Sequence, residues 1–333
     1  MTYSILKPAM SAHTHKLIMI PGFLSEKPLN QSWIKQYTHR VHTLHSFPSN
    51  HTSSHATYSQ QDQQQQKTID QLWDELDPFS TFDARGWQKL LETFITERQL
   101  DLSVEVFQWP SYSVLTLLFE QIKSLLKQWK DVTDIRQLPK NIILQSTKDI
   151  QAVWTQAYQA AIDNSASLTA QCAHDLAQGY TLYIIGHSLG GTMLLNAAQQ
   201  WSQQGLDTSK IYASAWAPAL ARKDMEYQNL LRLHHPVEII SSHYDLVLKY
   251  LFILGQSTQL SGIALLDIPQ IILTLLSKQL DNKAVGCVGV DDLYQSHHIN
   301  LSHLMMRHLD YLPRLPQVWS ASKVLPSLMT HKP

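Results

Sequence analysis

The sequence has few cysteines, little charge and no long apolar run, and each absence narrows what the chain can be. Only two cysteines, Cys172 and Cys287, occur in 333 residues. Neither belongs to a CxxC pair, so no disulfide framework is expected and a reducing compartment fits. Charged residues make up 16% of the chain and the formal net charge is −1. Because no global basic field is present, we expect no nucleic-acid partner.

Signals for export or membrane insertion are also missing. The first residues lack the long apolar core of a signal peptide. The most apolar later stretch, 246–280, is interrupted by polar and charged residues before it reaches the roughly 18 apolar residues of a spanning helix. We therefore predict a cytoplasmic protein, while export by a signal-independent route stays open.

What the chain does have is a regular alternation of apolar, strand-like runs with helical segments. This pattern predicts a single α/β domain over residues 1–333, with a mostly parallel sheet and helices on both faces. Strands are predicted at 16–20, 102–109, 182–185, 211–216, 237–241 and 284–290. A long helix is predicted over 149–176, and a final helix over 301–312.

Three stretches look like additions to this core. Residues 46–68 are polar and rich in glutamine and histidine, which indicates a surface loop. Residues 112–130 carry apolar side chains at helical spacing, and 246–280 contain two apolar helical segments. These two stretches are either ordinary packing helices or a lid or cap, and a peripheral membrane contact fits the second interpretation. The sequence gives no indication of oligomeric state.

The most informative segment is TLYIIGHSLGG at 181–191, in which an apolar strand leads into Gly186-His187-Ser188-Leu189-Gly190 and then into a helical pattern. This is G-x-S-x-G between a strand and a helix, the context in which a serine is exposed on a tight turn as a nucleophile. A chance glycine-rich turn is the alternative. His187 flanks the serine but is expected to point off the turn, so we interpret it either as a residue that supports the site indirectly or as an ordinary packing residue.

A serine nucleophile needs a base, and the base needs an orienting carboxylate. Asp245 is the best candidate for the carboxylate, because it follows the predicted strand VEIIS after the short loop Ser242–Tyr244. An N-cap for the next helix is the alternative role, and both can hold. Asp224 is a weaker rival, and Asp267 lies within an apolar helical stretch, where a structural role is expected.

Four of the histidines after the last predicted strand are candidates for the base, namely His297, His298, His303 and His308. We predict His303, because it lies where a loop meets the predicted helix 301–312. His298 is the next choice, and His297 lies in the same loop. His308 is more than one turn into that predicted helix and is expected to point elsewhere.

The oxyanion of the reaction would be bound by backbone N–H groups. One should be that of Leu189, at the start of the helix after the serine. The second should come from Phe23 or Leu24, in the loop after the first strand, where Pro21-Gly22 ends the strand. A simple strand-ending turn is the alternative interpretation of this loop.

Taken together, IMIPGFL, GHSLGG, the SxxD after VEIIS and the late His303 resemble the α/β-hydrolase superfamily over residues 16–311. PGFLSE, VFQW, WAPA and SSHYDLVLKYLF are similar to one branch of it, found in eukaryotic transmembrane and coiled-coil proteins and in bacterial relatives. The resemblance implies Ser188, Asp245 and His303 as the triad and lipid or other acyl esters as substrates. The chain departs from the pattern at Pro21-Gly22, where the wider superfamily has His-Gly.

The expected function is therefore that of a serine esterase or lipase-like hydrolase that needs no cofactor. Acyl transfer or thioester hydrolysis by the same triad is one alternative, and a catalytically silent module for binding or membrane tethering is another. Five histidines cluster between His39 and His55, but no acidic or cysteine ligands accompany them, so no metal site is expected. No phosphate-loop or dinucleotide motif is present.

Overall fold

The computed structural model describes residues 14–22, 84–109, 140–245, 247–252, 283–311 and 314–324, and six strands within them form one sheet. The strands are β1 (His15–Ile20), β2 (Ser103–Val106), β3 (Thr181–His187), β4 (Ile211–Trp216), β5 (Glu238–Ser241) and β6 (His298–Asn300). Their order is β2-β1-β3-β4-β5-β6, and every neighbouring pair is parallel.

Helices connect and flank the strands. They are α1 (Ala84–Glu97), α2 (Lys140–Ala177), α3 (Leu189–Gln204), α4 (Tyr227–Leu231), α5 (Val285–Val288) and α6 (Leu315–Ala321). Short 3₁₀ helices lie at Arg222–Asp224, Asp292–His297 and Ser302–Leu304, and a π-helical turn at Val247–Leu251. In the described part of the chain, no helix combines the length and apolar character needed to cross a membrane.

The centre of the sheet is covered on both faces. Residues 17–20 of β1 and 182–185 of β3 are completely buried. Successive strand residues point to opposite faces, so an unbroken buried run requires packing on each side, as parallel sheets have. The apolar runs that predicted these strands are therefore explained by their central position in the sheet.

The strand order positions the functional region. After β2 the chain returns to the other side of β1, so the direction of strand succession reverses between β1 and β3. Because all six strands are parallel, their carboxyl ends share one edge, and ligands of such sheets bind at that edge where the order reverses. The loops after β1 and β3 meet there, which singles out Gly22 and Ser188.

The predicted α/β class and mostly parallel sheet are confirmed, and five of the six predicted strands are present with small shifts at their ends. The predicted strand 284–290 is wrong: residues 285–288 form α5, and the last strand is His298–Asn300. The predicted helix 301–312 is also absent, and a 3₁₀ helix followed by turns replaces its described part.

Several predictions fall on residues outside the described ranges. They include the loop 46–68, the helix 112–130 and, within 246–280, everything except residues 247–252. The extent of the domain over 1–333 also stays a prediction.

Candidate active site

Ser188 occupies a strained turn between β3 and α3. Its backbone angles are φ 56° and ψ −119°, which a residue with a Cβ rarely adopts. The end of β4 holds the turn in place: the Ser188 N–H donates to the carbonyl of Trp216 over 2.9 Å, and the Ser188 carbonyl accepts from the N–H of Ala219 over 3.1 Å. The predicted strand–turn–helix context of the serine is thus present.

Two glycines let the neighbouring backbone approach this turn. A Cβ on Gly22, in the loop after β1, would lie 2.5 Å from the Cβ of Ser188 and 2.9 Å from the nitrogen of Leu189. A Cβ on Gly190 would overlap the carbonyl of Ile20. The end of β1 therefore packs directly on the serine turn, and only glycine fits at these two contacts.

The imidazole beside the serine belongs to His308. Its Nε2 lies 3.0 Å from Ser188 Oγ, and its Nδ1 lies 2.6 Å from Oδ2 of Asp245. A carboxylate oxygen only accepts, so Nδ1–H is the donor and, in the neutral ring, Nε2 can accept the serine proton. One continuous chain of hydrogen bonds thus joins carboxylate, imidazole and hydroxyl.

Asp245 uses its two oxygens for different partners. Oδ2 accepts from His308, while Oδ1 accepts the backbone N–H of Leu248 over 2.9 Å at the start of the π-helical turn. The second bond fixes the rotation of the carboxylate, because Oδ1 cannot leave Leu248 without uncapping the turn. Both roles considered for this residue, capping group and partner of the histidine, are present in the geometry.

The side chains of Ser188, Asp245 and His308 are all completely buried. Hydrogen bonds are stronger in such a low-dielectric environment than in water, and an unpaired polar group there is costly. The three groups therefore hold one another in a defined arrangement.

His303, the predicted base, does not take part in this arrangement. It is exposed on the 3₁₀ helix Ser302–Leu304, and the hydrogen bonds to Ser188 and Asp245 come from His308 instead. The reason is local: the chain turns sharply at Met305, whose φ is +50°, so the direction expected of His308 from a continuous helix does not apply.

A sequence signal for that turn exists in Asp310. Its carboxylate accepts the N–H of Arg307, three residues earlier, over 2.9 Å and so closes a turn around His308. Pro313, three residues later, also disfavours a helix through this segment. If Asp310 and Pro313 are interpreted as turn formers, the sequence favours His308 as the histidine beside Ser188.

His298 and Asp224, the next candidates for the base and the carboxylate, lie outside the hydrogen-bond chain of Ser188, His308 and Asp245. His298 Nε2 is 2.7 Å from Oγ of Ser241, a different serine, and Asp224 is exposed on the 3₁₀ helix Arg222–Asp224. Asp267 lies outside the described residues.

Of the predicted oxyanion donors, Leu189 is described and the other two are not. Leu189 is the first residue of α3, so its N–H has no acceptor within the helix and lies at the positive end of the helix dipole. Phe23 and Leu24 lie outside the described residues. Their neighbour Gly22 does pack on Leu189, since there is no room for a side chain between Gly22 and the Leu189 nitrogen.

Two other ionisable groups lie near Asp245 and stay neutral. Burial raises the pKa of the Cys287 thiol to about 12, and the nearby Asp245 carboxylate raises it further. Burial likewise holds the pKa of Tyr311 well above its usual 10. Neither group is therefore an anionic nucleophile at neutral pH. In the described ranges, no cluster of three histidine, cysteine or acidic side chains could hold a metal ion.

Comparisons with protein-family models, with curated proteins and with solved structures found no match for this chain. What these observations define is an α/β protein with a parallel sheet and a buried serine–histidine–aspartate arrangement at the carboxyl edge of that sheet.

Proposed function

We propose that this protein is a serine hydrolase of the α/β-hydrolase type that cleaves carboxylic esters through an acyl-enzyme. The observation that carries the proposal is the hydrogen-bond chain from Asp245 through His308 to Ser188, over 2.6 and 3.0 Å. Support also comes from the strained turn at Ser188 and from the site's place at the sheet edge where strand order reverses.

In the first half of the reaction, Ser188 Oγ attacks the ester carbonyl while its proton passes to Nε2 of His308. The carboxylate of Asp245 stabilises the imidazolium that forms. The N–H of Leu189 donates to the negative oxygen of the tetrahedral intermediate, and Phe23 or Leu24 is the second donor expected from the sequence. The imidazolium then protonates the leaving alcohol, and Ser188 is left acylated.

In the second half, His308 removes a proton from water, and the hydroxide so formed attacks the acyl carbon. Collapse of the second tetrahedral intermediate releases the carboxylic acid, and the proton returns from His308 to Ser188 Oγ. Every proton and leaving group is thus handled by this chain's own side chains and by water, and no cofactor takes part in these steps.

Lipid or other acyl esters are the favoured substrates, on the strength of the motif resemblance. Acyl transfer and thioester hydrolysis use the same first half-reaction and differ only in the leaving group or the acceptor. Turnover of acyl-CoA and of matched oxygen esters by the same preparation would separate these possibilities.

A second candidate function is a catalytically silent module for binding or membrane tethering. The complete burial of Ser188 favours it, because a substrate must reach the hydroxyl before any chemistry can occur. Labelling by a fluorophosphonate decides between the two, since the reagent reacts only with an accessible and activated serine.

The test of the main proposal compares Ser188→Ala with Ser241→Ala. Ser241 is the matched control, because it is also buried and also bonded to a histidine, His298, but its histidine faces Gln295 rather than a carboxylate. We expect Ser188→Ala to lose p-nitrophenyl ester turnover and fluorophosphonate labelling while it stays folded, and Ser241→Ala to retain both. Near-normal turnover by folded Ser188→Ala would refute the proposal.

A further inference from the structure

His187, the residue just before the serine, contacts the base directly. It is the last residue of β3 and is 2% exposed. Its ring centroid lies 4.9 Å from that of His308, and the rings of Trp87 and Tyr311 lie 5.4 and 5.5 Å away. The ring is therefore enclosed by aromatic side chains and by the base itself.

The hydrogen bond made by this ring fixes its protonation. Nε2 of His187 lies 2.8 Å from the backbone carbonyl oxygen of His308. A carbonyl only accepts, so Nε2 carries a hydrogen and donates it. Burial, followed by the neighbouring His308, holds the pKa of His187 well below its usual 6.5. The ring is thus neutral at physiological pH, with its single hydrogen on Nε2.

This bond anchors a segment that has little regular structure of its own. His308 lies in the turns between the 3₁₀ helix Ser302–Leu304 and α6. Two further bonds hold the same segment: Arg307 N–H donates to the carboxylate of Asp310, and the Arg314 guanidinium donates to the carbonyl of Leu304 over 2.6 Å. Among these three hydrogen bonds, only the one from His187 is made to the backbone of His308.

His187 and Ser188 are consecutive residues, and each makes a hydrogen bond to His308, so the two bonds close a circuit. From Ser188 Oγ the circuit runs through the side chain and backbone of His308 to its carbonyl, then across the bond to His187 and along the chain back to Ser188. Because the remaining links are covalent, holding the His308 carbonyl restricts the distance between Oγ and Nε2. A small change in that distance is expensive, since a displacement of about 1 Å costs roughly 100-fold in rate.

We propose that His187 is a positioning residue, which acts through its neutral Nε2–H to hold His308 at reacting distance from Ser188. The inference rests on the proposed hydrolase function and goes beyond it. Neutrality is part of the role, because a cation in this buried place would oppose the imidazolium that forms on His308 during the reaction.

The test compares His187→Gln with His187→Leu. A glutamine side chain can place an N–H₂ donor near the position of Nε2, whereas leucine fills the space without a donor. We expect His187→Leu to lower kcat for a p-nitrophenyl ester by roughly 100-fold with little change in KM, and His187→Gln to recover most of the loss. If leucine prevents folding, His187→Asn replaces it, because the shorter amide does not reach the carbonyl.

The outcomes are separable. A kcat for His187→Leu, or for His187→Asn if needed, within threefold of the wild type would overturn the positioning role, as would equal losses for the glutamine variant and its donor-free counterpart. Failure of the proposed function would instead appear in the wild type, as no turnover and no fluorophosphonate labelling. An ¹⁵N-histidine NMR spectrum tests the hydrogen bond without any activity: the Nε2–H tautomer at pH 6 supports it, and a charged ring or the Nδ1–H tautomer contradicts it.

Discussion

His303 and His308 offer a matched pair of substitutions that tests the site most directly. Both are histidines of one short segment, five positions apart, but His308 is completely buried between Ser188 and Asp245 while His303 is exposed. The same change at each position, to glutamine, removes an imidazole and keeps a polar side chain of similar length.

The structure sets the expected sizes of the two effects. A positioned general base contributes typically about 10²–10⁴-fold, which corresponds to roughly 3–5 kcal/mol of activation free energy. His308→Gln should lose kcat/KM by that factor, because glutamine cannot accept the serine proton. The folded state should survive, since leaving one oxygen of Asp245 poorly paired costs about 1–3 kcal/mol against a typical total stability of about 5–15 kcal/mol.

His303→Gln should change little. An exposed substitution away from special features alters stability by at most about 0.5 kcal/mol, and no described contact joins His303 to Ser188 or Asp245. Initial rates of p-nitrophenyl butyrate hydrolysis, normalised to the concentration of folded protein from circular dichroism, measure both variants. A loss in His303→Gln as large as that in His308→Gln would refute the assignment of the base.

Two further predictions concern the carboxylate of Asp245 and the buried histidines His187 and His298. Asp245→Asn should lower kcat by about 10⁴-fold, as the same change does in a known triad, because the amide N–H₂ then faces Nδ1 and selects the wrong tautomer of His308. A thermal melt should show that the fold is retained, because the amide oxygen still caps Leu248. A kcat within tenfold of the wild type would contradict this. Stability should fall as the pH drops from 7 to 5, because burial lowers the pKa of His187 well below 6.5 and that of His298 to about 4, with nearby His243 adding to the second shift. The unfolded chain then takes up protons that the folded protein does not. The free energy of unfolding should therefore fall by up to about 1.4 kcal/mol per pH unit for His187, and by about half that for the partly exposed His298. An unfolding midpoint that is constant or rises between pH 7 and pH 5 would contradict this prediction.

The parts of the site that depend on local sequence could be predicted. Ser188 lies within a contiguous strand–turn–helix signal, and the glycines around it are required by backbone contacts that the motif already encodes. Asp245 could be found because it closely follows a short strand centred on Ile239 and Ile240, and the end of that strand indicates its place at the sheet edge. Both predictions needed only the position of a strand end.

The last strand could not be predicted, because its signal is weak and a stronger apolar run lies nearby. Residues 284–290 look like a strand, yet their apolar character reflects burial: a Cβ on Gly286 would overlap the backbone of Ala217, and the Gly286 carbonyl accepts from Ser242 N–H. The true strand, His298–Asn300, has three residues and, among the described strands, pairs on one side only, with β5. An edge strand this short needs no apolar run, so composition does not reveal it.

The expectation that His303 rather than His308 lies beside Ser188 follows from that error, and it shows how the geometry of the candidate site depends on the fold. With the strand placed at 284–290, residues 301–312 had room for a helix and His303 fell at its start. With the strand at 298–300, the same residues must turn back over the sheet edge, and Met305 and Asp310 form that turn. His187 then meets the carbonyl of His308, so a residue of the serine motif itself helps to select which histidine is held beside Ser188. Tertiary contacts between two distant segments therefore decide which histidine lies beside Ser188, and local spacing in the sequence does not contain those contacts.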